Sequence, residues 1–352
     1  MIAQYGLAVR GSREVRGVLR IETNAGPHCL KRCRLTEEEL WFSQAAMEHL
    51  RRCGYEGVIP HEWTVAGLPF ARHGPHLYTL TRWMDSRELD FDDPRDLNLA
   101  VRTLAEFHQA ARGFVPPPYP QRVLWGAWPA RFSSRADQLL EWKEAASSRE
   151  HRSAFDEVYL QEVYYYHQQG LQALELLGRS PYHSLAQAAK DAGTLCHHDI
   201  SPYNFLLGAD NRVYLVDFDY CICDLHLHDL GSLILRTLKR SHWDYGEACA
   251  VAEAYDRILP LSDGALQVLE ALFRWPQDFW QVGLQYYVEH QPWTLDRFLN
   301  SLAEKIKGPL LRERFLARYQ AEHFRGLNPA PRRPQAAPAA QRRSPVRWTR
   351  LH

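Results

Sequence analysis

Residues Val18 to Thr23 alternate apolar and polar side chains, with Leu19 and Ile21 on one face, the two-residue period of a half-buried strand. Asn24-Ala25-Gly26-Pro27 is a turn signal, and His28 to Arg34 reads as the returning strand. Its alternation puts Cys29, Lys31 and Cys33 on one face. A helix should follow. Thr36 and Glu39 have capping-box spacing at its start, and Gly54 closes it. Beyond the loop at Arg72-His73-Gly74-Pro75, Tyr78 to Trp83 reads as another strand. The first 84 residues are therefore expected to form a small sheet with one helix.

The period then becomes helical. Leu97, Ala100, Leu104, Phe107 and Ala111 fall on one face. A proline-rich link at 116–120 precedes one long helical region, roughly 131–177. Residues 204–217 hold two apolar runs around Gly208 to Asn211, a hairpin pattern, and Leu230 to Phe324 reads as helices. The expected fold class is α+β in two lobes: a small antiparallel-sheet lobe over 1–84 and a larger, mainly helical lobe over 85–325. Residues 326–352 carry five prolines, six arginines, no acidic residue and no apolar period, so a disordered basic tail is expected.

At 352 residues the chain can bury a core of two lobes. Lys plus Arg and Asp plus Glu both number 42, which argues against whole-protein capture of nucleic acid. The seven cysteines lack zinc-ribbon spacing and read as reduced thiols of an intracellular protein. No apolar run is long enough for a membrane span, and the start lacks the pattern of a signal peptide.

The chemistry-bearing stretch is Cys196-His197-His198-Asp199-Ile200-Ser201-Pro202-Tyr203-Asn204, followed by Val216-Asp217-Phe218-Asp219. It reads as H-x-D-x4-N, a hairpin, then D-F-D, a kinase-type arrangement. Phosphoryl transfer needs a carboxylate beside the acceptor hydroxyl, the catalytic role assigned to Asp199. Mg²⁺ prefers oxygen ligands, which Asn204 and Asp217 can offer. His197 reads as a brace for the loop and Asp229 as a second one. A zinc site at His226-x-His228 is the weaker alternative to a packed or solvated pair. The aromatic group Trp275, Phe279, Trp280, Tyr286 and Tyr287 could cage a cation, but its helical spacing favours core.

These motifs resemble the aminoglycoside phosphotransferases and choline kinases. More closely they resemble the CotS family of bacterial spore coat proteins, through Cys29-Leu30-Lys31, Ala46-Met47-Glu48-His49-Leu50, Thr103 to His108, Asp219-Tyr220-Cys221 with Asp229-Leu230, and Trp275 to Trp280. The resemblance spans roughly 15–320. It implies ATP and Mg²⁺ as cofactors, Lys31 on the ATP phosphates, and Trp83 and Met84 at the adenine-side hinge. It puts His198 where related enzymes often carry glycine. Glu48 is the candidate helix partner of Lys31, since it shares a stripe with Trp41 and Ala45, and a carboxylate on an apolar stripe needs a cation. Glu37, Glu38 and Glu39 are explained by the helix dipole alone. The implied partners are a small hydroxylated substrate and other spore coat proteins. The implied location is cytoplasmic, with assembly onto the coat. The chain departs from the pattern in lacking G-x-G-x-x-G before Lys31 and an A-P-E-like activation segment, which disfavours a protein kinase. A small-molecule phosphotransferase and a catalytically weak or inactive coat component both remain open.

Overall fold

The computed structural model describes residues 1–324; the basic tail expected over 326–352 lies outside them. The N-terminal lobe is a five-stranded antiparallel sheet in the order β1-β2-β3-β5-β4. Its strands are β1 (Val9–Val15), β2 (Val18–Thr23), β3 (Gly26–Cys33), β4 (Ala71–His73) and β5 (His76–Arg82). The β2 strand spans the residues its alternation predicts. Ile21 and Leu30 are buried on one face of the sheet, and Lys31 projects from the other into a cleft also lined by Cys29, Thr79 and Thr81.

Helix α1 (Glu37–Arg52) follows β3 and is capped as its sequence requires. The Thr36 hydroxyl accepts from the Glu39 amide, while the Glu39 carboxylate accepts from the Thr36 amide. Two of the helix's otherwise unpaired donors are thereby satisfied.

The second sheet has three strands, β6 (Ser86–Glu88), β7 (Phe205–Gly208) and β8 (Val213–Leu215). The predicted hairpin is the β7–β8 pair, and β6 adds an edge the sequence did not reveal. Around it lie α2 (Pro94–Ala110), α3 (Trp128–Ser147), α4 (Ala154–Arg179) and α5 (Tyr182–Asp191). Next come α6 (Leu227–Arg240), α7 (Tyr245–Asp256), α8 (Asp263–Arg274), α9 (Gln277–Tyr287), α10 (Leu295–Ile306) and α11 (Pro309–Glu322). The fold is thus α+β, a sheet lobe on a helical lobe. The helical region expected over roughly 131–177 consists of two helices. The polar segment Arg149-Glu150-His151-Arg152 separates them, and a capping box of Ser153 with Asp156 starts the second.

The apolar face predicted for α2 is buried in full, from Leu97 through Phe107. The aromatic group on α8 and α9 is core. Trp275, Phe279 and Trp280 are buried, with Phe279 stacked between Tyr159 and Tyr166 at ring distances of 5.0 and 4.2 Å. All seven cysteines are free thiols. No helix among the described residues is long and apolar enough to cross a membrane.

Candidate active site

A cleft of about 1380 Å³ lies between the two lobes. Lys31, His61, Trp83, Met84, Asn204, Asp217 and Asp219 all line it, so most of the candidate residues share one wall-to-wall space. Asp199 stands beside Asn204 rather than in isolation. The Asn204 amide donates to the Asp199 backbone carbonyl at 2.9 Å and to its carboxylate at 3.0 Å. Those two bonds use the nitrogen side of the amide and leave its oxygen as the acceptor edge.

The loop carrying Asp199 is fixed from beneath. Cys196 pairs with Ile222 as a small antiparallel bridge. His197 is buried, and its Nε2 lies 2.9 Å from the Val216 carbonyl. The loop is thereby tied to the residue preceding Asp217. Asp229, fully buried at the start of α6, accepts from the backbone amides of His197 at 2.6 Å and His198 at 3.0 Å. His108 Nε2 lies 3.2 Å from the same carboxylate, and its Nδ1 lies 2.7 Å from the Tyr255 hydroxyl. Burial would raise the Asp229 carboxyl. The hydrogen bond from His108, with the His228 imidazole 3.6 Å away, outweighs it and holds the group well below the usual carboxylate range.

His108, Cys196 and Asp229 bring ligand-type atoms within 4.8 Å of one another. Each already has a partner, the Cys196 thiol donating to the Leu225 carbonyl, so the cluster reads as a brace. His226 packs on His108 and Tyr255, whereas His228 packs on His198 and Trp128. The two histidines therefore serve different neighbours.

Asp217 sits in the left-handed region, φ 66°, a conformation aspartate tolerates better than most residues. This turn brings both acidic residues of D-F-D onto Lys31. The lysine Nζ is 2.7 Å from Asp217 Oδ1 and 2.7 Å from Asp219 Oδ2. Burial opposes the charge of Lys31, but the two carboxylates prevail and raise it to about 12. Burial and the neighbouring Asp217 push the Asp219 carboxyl up, against the pull of Lys31.

The Lys31–Glu48 pair expected from sequence does not form. Glu48 accepts from Gln44 one turn earlier, at 3.1 Å. Met47, about 100° round the helix, lines the cleft in its place. The stripe with Trp41 and Ala45 lies on the flank of α1; its buried face runs through Leu40, Ser43, Met47 and Leu50. A dipole account of Glu39 is also too small. Its carboxylate lies 3.1 Å from the Arg122 guanidinium, which donates in turn to the carbonyls of Asp219 and Cys221. With Ser43 donating to the Phe218 carbonyl at 3.0 Å, α1 grips the backbone of the D-F-D turn rather than the lysine.

Where no glycine-rich loop is recognisable in the sequence, the β1–β2 hairpin edges the cleft. Val15 pairs with Val18, and Arg16 and Gly17 form a two-residue turn with φ 50° and 82°, the mirror-image turn that suits strand twist. Arg13, Val15 and Val18 line the cleft, and Arg16 ion-pairs with Glu88 of β6 across its mouth. Trp83 and Met84 lie at the junction of the lobes, with Arg20 over the Trp83 ring at 5.3 Å.

A family model described as "Spore coat putative kinase YutH" matches residues 1–319. The chain belongs to this spore coat kinase-like family. A relative is spore coat protein S of Bacillus subtilis (strain 168), 23% identical over 313 residues and covering 88% of each chain. Among solved structures, the aminoglycoside phosphotransferase of Alicyclobacillus acidocaldarius subsp. acidocaldarius DSM 446 aligns with a TM-score of 0.75 at 22% identity, covering 92% of this chain and 95% of its own. The AMP-bound spectinomycin phosphotransferase APH(9)-Ia aligns at 0.64 and 13% identity, covering 90% and 96%. Likenesses at this identity establish the fold, in agreement with the resemblance read from the motifs.

Proposed function

We propose that this coat kinase-like protein binds Mg-ATP in the inter-lobe cleft and transfers the γ-phosphoryl group to a small hydroxylated molecule. The observation that carries the reading is the convergence of Lys31, Asn204, Asp217 and Asp219 on one cleft, with Asp199 bonded to Asn204 at its edge. The donor set fits Mg²⁺. Two carboxylates and an amide oxygen are hard oxygen ligands, and Lys31 already shows how strongly the site holds a cation. The metal would supply charge neutralisation on the phosphates. Trp83 and Met84 would contact the adenine, and the lobes would divide near residue 84.

In the transfer, the Asp199 carboxylate accepts the hydroxyl proton of the acceptor. A bond forms from that oxygen to the γ-phosphorus as the bond to the β-phosphate oxygen breaks, and ADP leaves. This role is supported by Asn204 donating to one Asp199 oxygen at 3.0 Å while the other has Arg236 only at 4.0 Å. Asp199→Asn is expected to fold and bind Mg-ATP normally while losing phosphotransfer about 10²- to 10⁴-fold. Full retention of turnover in that variant would remove Asp199 from the role.

One observation favours a second reading, a coat component that binds nucleotide weakly and acts through interaction. Lys31 has no carboxylate partner on α1 and is engaged by both D-F-D carboxylates. That reading predicts coat assembly intact in Asp199→Asn spores.

A further inference from the structure

On the acceptor side of Asp199 the charge is positive. Arg131 and Arg135 stand one turn apart on α3, whose Trp128 meets the His228 ring that stacks on His198, and Arg135 and Lys239 of α6 both reach the start of α9, at Gln277 and Asp278. Lys239 is paired with Asp278 at the start of α9, and Arg236 reaches to 4.0 Å of Asp199. Arg131 and Arg135 form no ion pair among the described residues. Arg135 is held in place without being neutralised. Its guanidinium lies 4.0 Å over the Trp280 ring and donates to the Gln277 side chain at 2.9 Å. Both contacts are uncharged on the partner's side, so the positive charge stays available.

The cost of this arrangement is visible. Burial, together with repulsion from Arg131, pushes Arg135 down to about 10. Burial, the neighbouring His228 and the charges of Arg131 and Arg135 hold His198, next to Asp199, well below its ordinary value. The two imidazoles stack at 4.0 Å, with His198 in the left-handed region at φ 70°, where glycine would be free of strain. A side chain kept there at a conformational cost, flanked by two unneutralised guanidiniums, marks a site shaped for a ligand.

Resting on the phosphotransferase reading, we infer that the acceptor is an anionic hydroxylated molecule, carrying a phosphate or carboxylate that Arg131 and Arg135 bind while its hydroxyl meets Asp199. A polycationic acceptor such as an aminosugar would be repelled by the same wall. Guanidinium suits the task because its fork of donors matches both oxyanions bidentately.

Binding can be measured without turnover, by calorimetry on the full chain at low salt, with glycerol 3-phosphate and glycerate as probes. Glycerol, choline and an aminoglycoside are the comparisons. The anionic probes are expected to bind and the neutral and cationic ones not. The stronger of the two anions identifies phosphate or carboxylate as the recognised group. Arg131→Gln and Arg135→Gln should each weaken anion binding about 10- to 100-fold. Because Arg135 packs on Trp280, Arg131→Gln, at a less confined position, guards against a folding artefact, with melting temperature as control. Binding of choline or the aminoglycoside in preference to the anions would overturn the inference. So would failure of every anionic probe to bind, or anion binding unchanged in both variants. Failure of the nucleotide reading is seen separately, as absence of Mg-ATP binding with the anion response intact.

Discussion

Asp229→Asn isolates the brace beneath the loop that carries Asp199. The native carboxylate accepts from the amides of His197 and His198 through different oxygens, and His108 lies on the same side as His197. An amide of the same shape has one acceptor only. With its oxygen kept on the side of His197 and His108, its NH₂ meets the His198 amide, donor against donor. A charge-assisted bond of ~1.5–3 kcal/mol is lost, and a buried N–H is left unpaired at a cost of ~1–3 kcal/mol. The expected loss is therefore about 2.5–6 kcal/mol, comparable to breaking other buried charged contacts, and a substantial share of a typical total of about 5–15 kcal/mol. The melting temperature should fall by at least ~5 °C. In hydrogen exchange the amides of His197 and His198 should lose protection before those of α4. A variant that melts with the wild type and protects both amides equally would refute this account of the loop.

Acidification should destabilise the protein from about pH 6.5 downward. Burial, with the charge of Lys31 nearby, pushes His61 down to about 4. Burial and the adjacent His108 push His226 down to about 3, and burial lowers His197 as well. Each binds a proton more readily when unfolded, so stability is lost as pH falls below the ordinary histidine value and levels out below the folded one. Asp224, raised to about 6 by burial, and Asp219, also raised, work the other way above the ordinary aspartate value, but they are two groups against five, since His49 and His198 are lowered by burial as well. Melting temperature measured from pH 7 to 5 should therefore fall, and a rise would show that the carboxyls dominate. At the hairpin, Gly17→Val forces a β-branched residue to φ 82°. It should cost about 1–2 kcal/mol locally, seen as faster amide exchange in β1 and β2 with little change in the main melting transition.

Several features were legible because their chemistry is local. The β2 alternation, the α1 capping box and the spacing from Asp199 to Asn204 all lie within a few residues, and each appears as read. Strand β1 was not legible, since it is almost wholly exposed and so carries no apolar alternation. The three-residue β6 strand is too short to show a period. The break between α3 and α4 was hidden because helical apolar spacing continues on either side of a short polar gap, residues 148–153. The partner of Lys31 was misread for a different reason. Its carboxylates are 186 and 188 residues away in sequence, whereas Glu48 was the acid of α1 that shared a stripe with apolar residues, Glu37, Glu38 and Glu39 lying in the first turn. The turn at Asp217 decides that contact, because it aims both residues of the D-x-D pair at the same lysine.

Calorimetric titration of ATP with and without Mg²⁺ tests directly whether the cleft is a working Mg-nucleotide site. The wild-type chain should bind ATP more tightly with Mg²⁺, and at a hundredfold excess over Kd the complex should be stabilised by about 2.7 kcal/mol. Asp217→Ala should abolish the Mg²⁺ dependence, and Lys31→Ala should weaken binding under both conditions. No heat of binding at millimolar ATP in either condition, or tight binding unchanged by Asp217→Ala, would contradict the assignment of the cleft.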